Sequence, residues 1–217
     1  KREITMSVMK KLILGAAGLA SVVMTSAAVA GGPDVPPPPS DNGVYIEGHV
    51  GYARVNWAGV YRPVGLFNLN NRGGVTFGFD VGYQWNPHIA LEAGWFYLPR
   101  TRHTATAVRV SDWFVYLAAK LMAPVTDAFD LFVKAGIGYR RTTFGAAAPA
   151  MMNRVVRAVF AVGGQYHFGS NGNWMINAQY MYFPSGSNIL FAGGANGARP
   201  VPAAHLFTGG IGYLFAM

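Results

Sequence analysis

The run IALEAGWFYL, residues 89–98, holds one carboxylate, Glu92, with no cation beside it. A bare charge in an apolar core costs several kcal/mol or gives up its ionisation. Glu47, Asp80, Lys120 and Lys134 are also single charges among apolar residues and glycines, and Arg140 stands close to such a stretch. Both signs occur, so the chemistry available to them is ion pairing inside a shared interior. A second set is made of arginines. Lys occurs beyond the N-terminal region only at 120 and 134, whereas Arg62, Arg72, Arg100, Arg102, Arg109, Arg141, Arg154 and Arg199 lie near turn-rich stretches. Arg stays charged and grips phosphate in a two-pronged fork, so this set points to a polyanion.

Other chemistry finds little support. His167 and Ser170 in HFGSN pair a base with a hydroxyl, but no carboxylate stands nearby in sequence to orient the imidazole. The five histidines lack metal-ligand spacing, and the absence of Cys excludes thiolate sites and disulfides. No strand–loop–helix unit carries a phosphate loop. No catalytic residue, metal or cofactor is expected.

The elements that must position the charges have a period of two. In VTFGFDVGYQW, residues 75–85, Val75, Phe77, Phe79, Val81, Tyr83 and Trp85 form an apolar face. Thr76, Gly78, Asp80, Gly82 and Gln84 form the other. The same split predicts strands at about 44–54, 75–85, 89–98, 113–123, 131–141, 156–168, 174–184 and 205–217. Eight segments of about ten residues match the length a tilted strand needs to cross a bilayer. A soluble sandwich would carry its charges outward. Here the charges share a face with glycine, which suits a narrow lumen, and the apolar face suits lipid. Trp57, Trp85, Trp113, Trp174 and Tyr213 fall near segment ends, as interfacial aromatics do. The expected fold is all-β, an eight-stranded antiparallel up-and-down transmembrane barrel. A soluble ligand barrel is the alternative, with its apolar face inward.

The ends fit secretion. Lys10 and Lys11, the apolar run 12–23 and Ala28-Val29-Ala30 read as a signal peptide over residues 1–30, with extra residues before Met6. Residues 31–43, with four consecutive prolines, read as a stiff periplasmic linker, and 44–217 as the barrel. Apolar residues make up 52% and charged residues 12% of the chain. The apolar strand faces and the export signal exclude a nucleic-acid partner. Connections alternate: short ones after Trp85, at 124–130 and at 169–173, long ones at about 55–73, 100–112, 142–155 and 185–203. Short periplasmic turns and long outer loops are the outer-membrane pattern.

Two stretches carry a family resemblance. GYQWNPHIALEAGWFYLPR (82–100) and AAKLMAPVTDAFDLFVKAGIGYRR (118–141) resemble strands two to five of the OmpA-type N-terminal transmembrane barrel. VFAVGGQYHFGSNGNWMINAQYMY (159–182) is similar to its strands six and seven. The resemblance spans roughly residues 44–217, without the peptidoglycan-binding domain that many members carry. It implies a lumen gate of two carboxylates and two cations. Glu92 and Lys120 keep one of each, while Gln165 and Asn177 stand at the other carboxylate and cation positions. With Glu47, Asp80, Lys134 and Arg140 added from the alternation, the expectation is a packed ion-pair plug centred on Glu92 and Lys120.

The last strand alternates to Tyr213 and Phe215, which resembles the C-terminal signal read by the barrel assembly machinery. HFGSN also resembles a lipid A deacylase motif, with its spacing off by one. The functional expectation is a structural or surface-interaction barrel of the Gram-negative outer membrane, adhesin-like or antigen-like. Its partners would be membrane lipid, lipopolysaccharide and a host-surface polyanion. A narrow ion channel, then a lipid A-modifying enzyme, are the alternatives.

Overall fold

The computed structural model describes residues 42–56, 73–102, 109–145, 151–169, 172–186 and 201–217. The strands are β1 (Gly43–Val55), β2 (Gly74–Asn86), β3 (Ile89–Arg102) and β4 (Arg109–Thr126). They continue with β5 (Phe129–Gly145), β6 (Met151–Phe168), β7 (Trp174–Phe183) and β8 (Ala204–Ala216). Each pairs antiparallel with its sequence neighbour, and β1 pairs with β8 to close a barrel. Alternating aromatic and β-branched residues suit a pleated wall with two different environments. Closure leaves no unpaired edge.

The alternation sorts the two faces. Val81, Leu91, Leu117 and Ile137 point outward, with 41, 40, 46 and 50% of their surface exposed. On the same strands Asp80, Glu92, Tyr116, Lys120 and Lys134 are buried inside. An apolar outer wall around an interior that holds all the buried charges among the described residues is the reverse of a soluble ligand barrel. Inward glycines make room for large polar side chains. A Cβ at Gly82 would overlap the Tyr45 ring, and one at Gly212 would lie 2.6 Å from Glu47 Cγ.

One end carries the short turns Pro87-His88 and Asp127-Ala128, and Gly169 and Gly172 lie at the same end of β6 and β7. The opposite, long-connection end differs from expectation. β4 begins at Arg109, β5 runs to Gly145 and β6 starts at Met151, so two connections shrink to 103–108 and 146–150. The ladder continues through Ser111↔Thr143 and Phe144↔Met151, because backbone pairing persists past the last apolar outward residue. β1 also begins at Gly43, inside the segment expected to be linker. The signal segment, Trp57, Arg62, Arg72 and Arg199 lie outside the described residues.

Candidate functional site

Parity decides which side chains enter the lumen; register decides which of them meet. β1 brings Glu47 and His49 to one face, and the β1–β2 ladder sets Glu47 opposite Asp80. β3 contributes Glu92, β4 Lys120, β5 Lys134 and β7 Asn177, all at most 7% exposed. Lys134 Nζ donates to Glu92 Oε1 at 2.5 Å and lies 3.6 Å from Asp80 Oδ2. Lys120 Nζ lies 3.5 Å from Glu47 Oε1 and 3.8 Å from Glu92 Oε2. His49 Nε2 lies 2.9 Å from Asp80 Oδ2 and 3.4 Å from Glu47 Oε2. Three carboxylates therefore share two ammonium groups and an imidazole. Neutral donors complete the layer. Tyr45 and Tyr116 donate to the two Glu92 oxygens at 2.8 and 2.5 Å, and Asn177 donates to Glu47 Oε2 at 2.8 Å.

Apolar layers lie on both sides of these charges. Towards the short turns, Tyr45, Ala90, Met122, Phe132, Met175 and Leu214 form a floor. Lys120 Nζ lies 4.8 Å from the Tyr45 and Phe132 ring centres, so that floor also faces a cation. Towards the other end, Phe96, Leu98, Phe114, Val159, Met181 and Phe183 pack among other buried side chains. An eight-stranded interior is only wide enough for side chains to fill it.

Not every inward candidate joins that layer. Arg140 sits at the long-connection mouth, where its guanidinium grips Asp112 through Nε, at 3.0 Å to both oxygens, and through Nη2. Thr142 donates to Asp112 at 3.2 Å, and Arg140 Nη1 donates to the Pro202 carbonyl at 2.6 Å. That carbonyl and the buried Val201 belong to the chain returning toward β8. Gln165 lies near the floor, donating to Asp130 Oδ2 at 2.9 Å. The partner of Glu92 also shifts, since Lys134 stands closer to it than Lys120 does.

Three groups went unrecognised in the sequence. Asp112 lies in a stretch read as loop, which hid its parity. His49 was visible as an inward residue, but its partners appear only with the β1–β2 register. Asp130 approaches His167 Nε2 at 2.9 Å, so a carboxylate does orient this histidine. His167 Nδ1 lies 3.2 Å from the Gly172 carbonyl, so both ring nitrogens are engaged in tying two turns together. Neither nitrogen faces outward as a base. Ser170 lies outside the described residues.

Glu47, His49 and Asp80 also present metal-ligating atoms within 4.8 Å of one another. The Glu-x-His spacing on one strand face was a signal for this, contrary to the expectation of no ligand spacing. Lys120 and Lys134 already approach the same two carboxylates, so ion pairing meets their charge. The arginines lie differently. Arg100 is exposed at the end of β3, and Arg154 is exposed on the outward face of β6. Arg102 and Arg109 oppose each other in the β3–β4 ladder. Tyr213 and Phe215 point outward near the short-turn end of β8.

Comparison with known proteins adds a lineage to this geometry. Residues 16–215 match the family model described as outer membrane protein beta-barrel domain. Outer membrane protein A of Klebsiella aerogenes is 32% identical over 133 residues, 58% of this chain and 37% of that protein. The matched segment thus spans little more than a third of this relative's length. Among solved structures, Neisserial surface protein A superposes with a TM-score of 0.56 at 12% identity, covering 79% of this chain and 97% of that one. Ail of Yersinia pestis, in complex with the heparin analogue sucrose octasulfate, gives 0.52 at 13% identity, covering 81% and 99%. At these identities the two structures speak for the fold.

Proposed function

Because the chain belongs to the outer membrane protein beta-barrel domain family, we propose that it is a surface barrel with a closed lumen, whose long-connection end meets partners outside the cell. It resides in the Gram-negative outer membrane. The observation that carries the closed lumen is the order of its layers. A shared ion-pair layer lies between an apolar floor and an aromatic upper layer, and Arg140 meets Asp112 and the Pro202 carbonyl toward the mouth, which together support this reading. An ion crossing this path would have to break pairs and then pass apolar side chains. Single-protein recordings of the purified barrel in planar bilayers test this. The expected trace stays at the bare-membrane level, and discrete openings altered by Glu92→Gln would establish a gated channel instead.

The surface role rests on the arginine set. Arg62, Arg72, Arg100, Arg102, Arg109, Arg154 and Arg199 place cations in or beside the long connections. Crystallisation of Ail with a sulfated heparin analogue supports a polyanion as partner. Sucrose octasulfate binding is expected to fall on replacing Arg62 and Arg72 with Gln; unchanged binding would remove those loops from the reading. Catalysis has no place in it, since His167 is held at both nitrogens. Residues 1–30 act as a cleaved signal peptide and the prolines that follow as a linker, so N-terminal sequencing should begin near Gly31. Tyr213 and Phe215 form the segment read by the assembly machinery.

A further inference from the structure

Charge in the central layer balances only when His49 is counted. Glu47, Asp80 and Glu92 face Lys120 and Lys134, so three carboxylates meet two ammonium groups. One negative charge is left to be met at His49. Lys134 stands closest to Glu92, at 2.5 Å, and 3.6 Å from Asp80 Oδ2. Asp80 is fully buried, and neither of its oxygens accepts a hydrogen bond from a described residue. A buried carboxylate in that condition calls for a further positive partner.

His49 Nε2 lies 2.9 Å from Asp80 Oδ2 and 3.4 Å from Glu47 Oε2, yet it is aligned for a hydrogen bond with neither oxygen. A proton on Nε2 therefore has two carboxylates beside it and points at neither. The same atoms suit a larger charge. A cation held at ~2.1 Å sets neighbouring ligand atoms ~3.0–3.4 Å apart, close to the separations found here. The β1–β2 ladder fixes the arrangement, because Glu47 stands opposite Asp80 and His49 follows two residues on. On the other side of the ring, a Cβ at Gly210 would lie 2.5 Å from His49 Nδ1 and 2.9 Å from Asn177 Oδ1. That amide oxygen is buried and takes no hydrogen bond from a described residue. It is an acceptor beside the second ring nitrogen, the support that a metal-bound imidazole takes.

We propose that Glu47, His49 and Asp80 bind a divalent transition-metal ion of the zinc type inside the barrel. One imidazole and two carboxylates form a mixed nitrogen and oxygen set, which suits zinc and not the hard cations magnesium and calcium. The lysines leave the ligand atoms accessible to it. Lys120 approaches Glu47 through Oε1, whereas Oε2 is the oxygen that faces His49. The ion clips β1 to β2 from within, so binding adds to the stability of the finished barrel.

The test refolds the full chain from urea into detergent micelles with zinc chloride or magnesium chloride. Loose metal is removed by gel filtration, and bound metal is counted by mass spectrometry. The unaltered protein should keep about one zinc per chain and no magnesium, and its thermal midpoint should rise with zinc. His49→Gln should lower zinc retention about tenfold or more and abolish the rise in midpoint. His167→Gln, among the short turns, should keep the zinc. Heat-modifiable migration confirms that each variant is folded. Should His49→Gln not fold, X-ray absorption of the zinc-loaded His167→Gln protein carries the test, with a nitrogen in the zinc shell expected. A shell of oxygen alone overturns the site. No zinc on the unaltered protein, or equal zinc on His49→Gln, overturns it too. Equal retention of magnesium does the same, since it needs no imidazole, and loss of zinc in His167→Gln assigns the metal to the turns instead.

Discussion

Two buried ion-pair sites share one lumen and are built on opposite plans. At the mouth, Asp112 and Arg140 form a closed two-party bond, with Thr142 and the Pro202 carbonyl as neutral supports. In the central layer each ammonium faces two carboxylates, and Glu92 faces two ammonium groups and two phenols. A partner lost from a two-party bond leaves a bare charge. A partner lost from a shared layer leaves its neighbours partly served. Redundancy, more than the number of charges, should decide how each site tolerates substitution.

The largest effect is expected at the mouth. Arg140→Met strands Asp112 and should cost about 3–5 kcal/mol in denaturant unfolding from detergent. Adding Asp112→Asn should recover most of it. Lys134→Met comes next, at about 1–3 kcal/mol, because Glu92 keeps Lys120, Tyr45 and Tyr116. A cost equal to that of Arg140→Met would break the contrast between shared and two-party pairing. Lys120→Met should cost less, about 0.5–1.5 kcal/mol, since its contacts are the longer ones. Double-mutant cycles sharpen the ranking: coupling of Glu92 to Lys134 should exceed its coupling to Lys120. Phe215→Ala, on the outer wall, should change unfolding least and instead lower the amount of barrel inserted in cells. Leu214→Ala is not a neutral control for it, because Leu214 is buried in the lumen floor.

The barrel was legible because a period of two needs no tertiary information. Val81 and Asp80 declare opposite faces whatever the neighbouring strand does. Height was not legible. Hairpin adjacency pairs Glu92 with Lys120, yet Lys134, one strand further, reaches it more closely. That choice depends on stagger between strands, which alternation does not encode. Parity places Arg140 inside with the central charges, although it stands six positions beyond Lys134 along β5. Asp112 and Asp130 were missed for a related reason. Both stand next to turn-like composition, where the pattern weakens while the ladder continues.

The seam between β1 and β8 bears on timing. It runs from Gly43↔Ala216 to Val55↔Ala204, joining partners separated by almost the whole barrel sequence. Hairpins such as β2–β3 can zip locally, but the ring cannot shut until its last strand has arrived. Pairing over such separations is slow, because chain entropy is lost before the contacts that offset it are made. Until then two strand edges lie open, and an open edge invites pairing with another chain. Residence in the unclosed state should therefore lengthen when β8 is weakened and aggregation should rise with it, even for changes that leave the finished barrel as stable as before.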